Sequence, residues 1–270
     1  MTQPELNSTQ KGRFVRANGL NIFYEEYGSG TPLILLHGGT VSSNMWRPFL
    51  PSFVSHFRVI TPDSRGHGKT NNPSGGLSYH LMAEDIAAFI QALKLTRPLI
   101  LGYSDGGQIA LELGIRYPGL TGALVLGATE YKISETSINF FKAMGFEKPG
   151  MVNIEQIQRD HPELITLLKG EHVRVDEPDY WKTLLKQYSI LWWSPPGYTA
   201  DDFHKITEPT LVLQGDRDEI VELEQAIEMY RFIPNAELVI LPNSRHSSPN
   251  AKLLAEAVLD FFLRHSTASD

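Results

Sequence analysis

An α/β fold with a mostly parallel central sheet is what this sequence predicts, on three observations. Short continuous apolar runs recur along the chain, amphipathic helical patterns lie between most of them, and the first two strands are joined by an Asn18-Gly19 turn. Arg13 to Tyr27 (RFVRANGLNIFYEEY) reads as an antiparallel hairpin, because Asn-Gly readily takes the positive φ angles of a two-residue turn. Pro32 to Leu36 (PLILL) is too short for a helix and halts at His37-Gly38-Gly39, as a strand buried on both faces does. Runs of the same kind follow at Phe57 to Thr61, Leu99 to Gly102, Ala123 to Leu126, Thr210 to Leu213 and Leu238 to Leu241.

Helices are expected between the runs. From Ser78 to Leu95 the residues Met82, Ile86, Phe89, Ile90 and Leu93 fall on one helical face, Ile109 to Arg116 ends before Pro118, and Ala251 to Leu263 closes the chain as an amphipathic helix. The alternation breaks once. Residues 131–205 hold helical patterns and many aromatics but no convincing buried strand, so they read as a helical cap inserted into a core made of residues 1–130 and 206–270.

Composition limits the function classes. The formal charge of −7, with no run of Lys or Arg, argues against nucleic acid or an anionic membrane surface as partner. The chain has no cysteine, which removes disulfides, thiolate nucleophiles and Cys-based metal sites together. No apolar run approaches the length of a membrane span, and the polar opening MTQPELNSTQKGR lacks the apolar core of a secretory signal, so a cytoplasmic location is expected.

The sharpest chemical signal is Gly102-Tyr103-Ser104-Asp105-Gly106-Gly107, directly after one predicted strand and directly before a predicted helix. A serine on such a turn is held in a strained backbone, and small residues two positions to either side let strand and helix approach. Gly102 and Gly106 supply that clearance. A serine hydroxyl is a weak nucleophile at neutral pH and needs a base, which in turn needs a group to fix its tautomer. Downstream, Gln214-Gly215-Asp216-Arg217-Asp218-Glu219 and Pro242-Asn243-Ser244-Arg245-His246-Ser247 each follow a predicted strand, where open α/β sheets place their ligands. His246 stands after the last predicted strand and before the closing helix, which selects it as the base among nine histidines.

With Ser, Asp and His in that order, the sequence resembles the α/β-hydrolase superfamily from Arg13 to His265. The resemblance implies a Ser104-His246-Asp218 triad, since the acid usually ends a GxxD motif, leaving Asp216 to structure its loop. It also implies an oxyanion hole from the backbone amides of Gly39 and Asp105. A carboxylic ester or related acyl bond of a small molecule is the expected substrate, cleaved through an acyl-enzyme with no cofactor and no metal. A lactonase, a C–C bond hydrolase, a cofactor-free perhydrolase or a small-molecule receptor could all use the same scaffold.

Two departures from the family pattern bear on the substrate. Arg245 stands where the family commonly has Gly; pointing inward it would bind a substrate carboxylate, pointing outward it is surface charge. The Ser-Asp-Gly-Gly elbow resembles that of the biphenyl hydrolase-like group, including valacyclovir hydrolase, which implies that Asp105 receives a substrate ammonium; otherwise it merely caps the helix. Trp192 and Trp193 are candidates for lining an apolar pocket.

Overall fold

A computed structural model describes residues 12–266. The polar opening and the outermost parts of the predicted core, residues 1–11 and 267–270, lie outside the described residues. Among the described residues there are ten strands: β1 Arg13–Ala17, β2 Leu20–Tyr27, β3 Pro32–Leu36, β4 Arg58–Pro62, β5 Leu99–Tyr103, β6 Leu124–Gly127, β7 Phe146–Lys148, β8 Met151–Val152, β9 Thr210–Gly215 and β10 Ala236–Leu241. Among them run α1 Leu50–Phe53, α2 Tyr79–Ala92, α3 Asp105–Arg116, α4 Glu135–Ala143, α5 Ile154–Asp160, α6 Pro162–Glu171, α7 Tyr180–Leu191, α8 Ala200–Phe203, α9 Leu223–Phe232 and α10 Ala251–His265.

Eight strands form one sheet in the order β1-β2-β4-β3-β5-β6-β9-β10. The β1–β2 and β2–β4 pairs are antiparallel and the rest are parallel. Asn18 (φ 46) and Gly19 (φ 75) make the predicted hairpin turn. The apolar runs are buried on both faces because alternate side chains of a strand point to opposite sides. In β3, Ile34 and Leu36 join one apolar cluster with Phe89 of α2 and Ile109 of α3. Leu33 and Leu35 join the other, with Phe53 of α1 and Phe261 of α10. The expected continuous burial fails at β10, where Ile240 is half-exposed and Leu241 alone is fully buried. The reason is positional: β10 is the edge strand and has a neighbour on one side only.

The segment between β6 and β9 carries α4 to α8, and also the short antiparallel pair β7–β8, an element that helical periodicity does not reveal. Its buried residues Trp181, Leu184, Leu185 and Tyr188 pack into the same cluster as α2 and α3. Among the described residues no helix is long and apolar enough to cross a membrane.

Candidate active site

Because β3, β5, β6, β9 and β10 run parallel, their C-terminal ends lie on one side of the sheet. The loops that leave those ends carry Gly38-Gly39, Ser104, Glu130, Asp218 and His246 respectively. At Ser104 the chain turns from β5 into α3 with φ 56 and ψ −120, a strained backbone for a residue with a side chain. The turn is tight enough to exclude any side chain at its flanks. A Cβ on Gly102 would stand 2.0 Å from the Gly106 carbonyl oxygen, and one on Gly106 would stand 2.1 Å from the Leu36 carbonyl oxygen.

Ser104 Oγ lies 2.9 Å from His246 Nε2, and His246 Nδ1 lies 2.9 and 3.1 Å from the two carboxylate oxygens of Asp218. With Nδ1–H donating to Asp218, the lone pair of Nε2 faces the serine hydroxyl. The Asp218 side chain is 1 % exposed. Its Oδ1 also accepts the amides of Ile220 and Val221 at 2.9 Å, so the side chain is held in place. Asp216 instead accepts the Ser244 amide at 3.1 Å and ties the loop after β9 to the loop after β10. Further ties hold the histidine loop: the Tyr103 hydroxyl donates to the His246 carbonyl at 2.8 Å, and the His246 amide donates to Glu219 at 3.2 Å.

Gly38 and Gly39 lie against the elbow. A Cβ on Gly38 would stand 3.3 Å from Ser104 Cβ, and the Gly38 amide points to Met45 Sδ at 3.2 Å. Asp105 opens α3, so its amide is one of the first-turn N–H groups that have no intrahelical acceptor. Three histidines brace this region from behind. His37 donates from Nδ1 to the Gly38 carbonyl and accepts the Ser64 amide at Nε2. His172 accepts the Gly68 amide and donates to the Thr40 carbonyl, while His67 donates to the Arg65 carbonyl and accepts the Tyr188 hydroxyl. Burial keeps His67 and His172 below the usual histidine range, and the nearby histidines add to this. His172, which reads in the sequence as a surface or cap residue, is therefore a buried strut between the insertion and the glycine loop.

The substrate-binding candidates separate. Trp192 lines the cavity that opens beside Ser104. Trp193 is not among the lining residues; its ring packs on Phe141 with Lys142 over it. Arg245 is 65 % exposed and pairs with Glu219 at 3.5 Å, so its charge faces solvent, away from the cavity. Asp105 lines the cavity, yet its carboxylate already accepts the Tyr79 hydroxyl at 2.8 Å and Trp192 Nε1–H at 3.1 and 3.2 Å. Burial pushes the Asp105 carboxyl up, and these donors hold it back. An ammonium beside the reacting carbonyl would have to displace donors built into the protein.

The cavity has a volume of about 560 Å³. Its walls are largely apolar, with Phe140, Phe141, Met144, Leu164 and Ile220 among the lining residues. Sequence reasoning misses Tyr79, Gln108 and Glu130, which also line it, because none belongs to a motif; each is brought in by the fold alone. No lysine or arginine occurs among the described residues that line it. Among the described residues no group of three or more His, Asp or Glu side chains is placed to hold a metal ion.

Comparison with known proteins agrees with this architecture. Residues 31–162 match the family model described as alpha/beta hydrolase fold. The chain is similar to a 2-hydroxy-6-oxo-6-(2'-aminophenyl)hexa-2,4-dienoic acid hydrolase of Metapseudomonas resinovorans, at 27% identity over 94% of this chain and 91% of that protein. A non-heme haloperoxidase of Rhodococcus erythropolis is 28% identical over 92% of this chain and 98% of its own length. Among solved structures, a serine hydrolase involved in carbazole degradation superposes with a TM-score of 0.76 at 26% identity, covering 94% of this chain and 99% of that one. The family model, the relatives and the solved structure all point to the α/β-hydrolase superfamily.

Proposed function

We propose that this protein is a serine hydrolase that cleaves a carboxylic ester of a small, neutral or cationic molecule through an acyl-enzyme on Ser104. The observation that carries the reading is the unbroken hydrogen-bonded chain from Ser104 Oγ through His246 to Asp218 at the mouth of an apolar cavity. In the first step Ser104 Oγ bonds to the carbonyl carbon as its proton passes to His246 Nε2. The amides of Gly39 and Asp105 receive the oxyanion. The imidazolium protonates the leaving alkoxide, the acyl group stays on Ser104, and a water deprotonated by His246 then releases the acid. In this reading residues 131–205 are a cap that supplies Trp192 and much of the apolar wall over the core of residues 1–130 and 206–270.

A second reading comes from the relative in Metapseudomonas resinovorans, a hydrolase of a dienoic acid. Such a substrate carries a carboxylate, which needs a cation or several donors once it leaves water. The lining here offers no lysine or arginine, holds the carboxyl groups of Asp105 and Glu130, and leaves Arg245 facing solvent. This charge pattern favours the ester reading. Turnover of a neutral 4-nitrophenyl ester and of a matched ester bearing a terminal carboxylate tests it. The neutral ester should be cleaved at least about tenfold faster in kcat/KM, one unpaired charge being worth that much or more. The reverse order would favour the acid hydrolase, and tight binding with no turnover would favour a receptor.

A further inference from the structure

The cavity wall holds two acceptors that the proposed reaction leaves unused. Glu130, just beyond β6, is 7 % exposed and lines the cavity, and its Oε1 is buried with no hydrogen-bond partner. Gln108, one turn of α3 beyond Ser104, is 4 % exposed, lines the same cavity, and leaves its Oε1 unpartnered as well. Their chain neighbours touch: a Cβ on Gly107 would stand 2.1 Å from Thr129 Oγ1. The polar groups near Glu130 also serve other acceptors. The Ser137 hydroxyl donates to the Ser134 carbonyl at 3.1 Å, and Gln225 Nε2 donates to the Lys132 carbonyl at 3.0 Å. Burial pushes the Glu130 carboxyl up to about 7, with Ser137 and His246 relieving part of the effect and Asp105 adding to it.

A buried acceptor without a donor costs the full desolvation of that group, so such atoms in a folded protein call for an explanation. Both residues line a cavity walled mainly by apolar side chains, and both unpartnered atoms are acceptors. The oxyanion is assigned to the Gly39 and Asp105 amides, which leaves these two oxygens for another part of the substrate. We propose that Glu130, with Gln108 beside it, forms a specificity-determining subsite that accepts a hydrogen bond from an O–H or N–H donor carried by the substrate at a point other than its scissile carbonyl. The proposal rests on the reading of Ser104 as the acylated serine. Discrimination at such a site is steep, because an analogue lacking the donor fills the cavity and leaves the acceptor unpaired.

The test uses 4-nitrophenyl esters whose acyl chains end in methyl, hydroxyl or ammonium, over several chain lengths, with each rate normalised to hydroxide-catalysed hydrolysis. At one length or more, the wild type should prefer the hydroxyl or ammonium ester over the methyl ester by about tenfold or more in kcat/KM. Glu130→Leu should abolish that preference. Glu130→Gln retains an acceptor but not the charge, so it should shift the ratio of ammonium to hydroxyl ester towards hydroxyl; this isosteric variant decides the matter if Glu130→Leu fails to fold by circular dichroism. No preference at any length in a wild type whose Ser104 is still acylated would overturn the subsite, assign the Glu130 acceptor to solvent and leave the hydrolase reading standing. A preference that survives Glu130→Leu, or an ammonium-to-hydroxyl ratio unmoved in Glu130→Gln, would also overturn it. If no ester is cleaved and Ser104 takes up no covalent label, the hydrolase reading falls and the subsite with it.

Discussion

Gly39 is packed so closely on Asp105 that a Cβ added to it would stand 2.4 Å from the carboxylate Oδ2. The two residues whose amides would face the oxyanion thus set each other's position. Trp192 and Tyr188 close the same gap, at 2.9 and 3.0 Å from that Cβ. Gly39→Ala should therefore push the glycine loop away from the elbow without changing the triad. Loss of one oxyanion donor costs about a hundredfold or more in kcat. Kinetics on a neutral ester, with Ser104 labelling by a fluorophosphonate as a control for an intact serine, checks this; wild-type kcat would show that the loop is not part of the site.

Asp105→Asn separates positioning from substrate recognition. The carboxylate takes the Tyr79 hydroxyl on Oδ1 and the Trp192 indole N–H on both oxygens, whereas a carboxamide keeps one acceptor oxygen, loses the charge and turns an NH2 where the other oxygen stood. The expected cost is about 1–3 kcal/mol of stability for the charge-assisted bonds weakened, together with lower kcat on every ester whether or not it bears an amine. Denaturant unfolding and a paired amino and neutral substrate measure both effects. Loss confined to amino esters would return Asp105 to ammonium binding.

Asp218 and Asp216 stand two residues apart and differ in what they touch. Asp218 meets His246 Nδ1, and Asp216 meets a backbone amide of the neighbouring loop. Asp218→Asn should lower kcat by about three to four powers of ten, since the acid orients the imidazole and stabilises its cation. Asp216→Asn should cost stability and little turnover. Steady-state kinetics on both folded variants ranks them; the reverse ranking would move the acid.

Glu130 gives a pH signature in stability. Its carboxyl is raised from an ordinary 4.5 to about 7 in the folded protein, so between those values the folded state holds a proton that the unfolded state has lost. Its contribution is fully favourable below pH 4.5, falls as pH rises, and levels off above about 7, a loss on the order of 3 kcal/mol. Glu130→Gln removes the charge and should unfold at a higher temperature than wild type, by a margin that grows over this interval. A constant margin, measured by calorimetry across pH, would mean that Glu130 is solvated.

Much of this was legible in the sequence, for identifiable reasons. Five buried strands and the edge strand β10 announced themselves as apolar runs because a parallel sheet covered on both faces needs apolar side chains at successive positions. The elbow was legible because two glycines and a serine must occupy fixed places in so tight a turn. The rest depended on packing across the chain. Glu130 and Gln108 belong to no motif; they line one cavity where Gly107 lets Thr129 approach α3. His172 became a strut through partners more than a hundred residues away in sequence, Gly68 and Thr40. Arg245 and Trp193 looked suitable by type, but orientation decides whether a side chain reaches a cavity, and orientation is a property of the folded loop.

In the proposed reaction Ser104 becomes covalently acylated. Incubation with a fluorophosphonate, followed by proteolysis and peptide mass analysis, checks this. One adduct is expected, on the peptide that carries Ser104, formed more slowly in His246→Ala and absent from Ser104→Ala, which also loses ester turnover. An adduct on another residue, with Ser104→Ala still turning over ester at the wild-type rate, would contradict it.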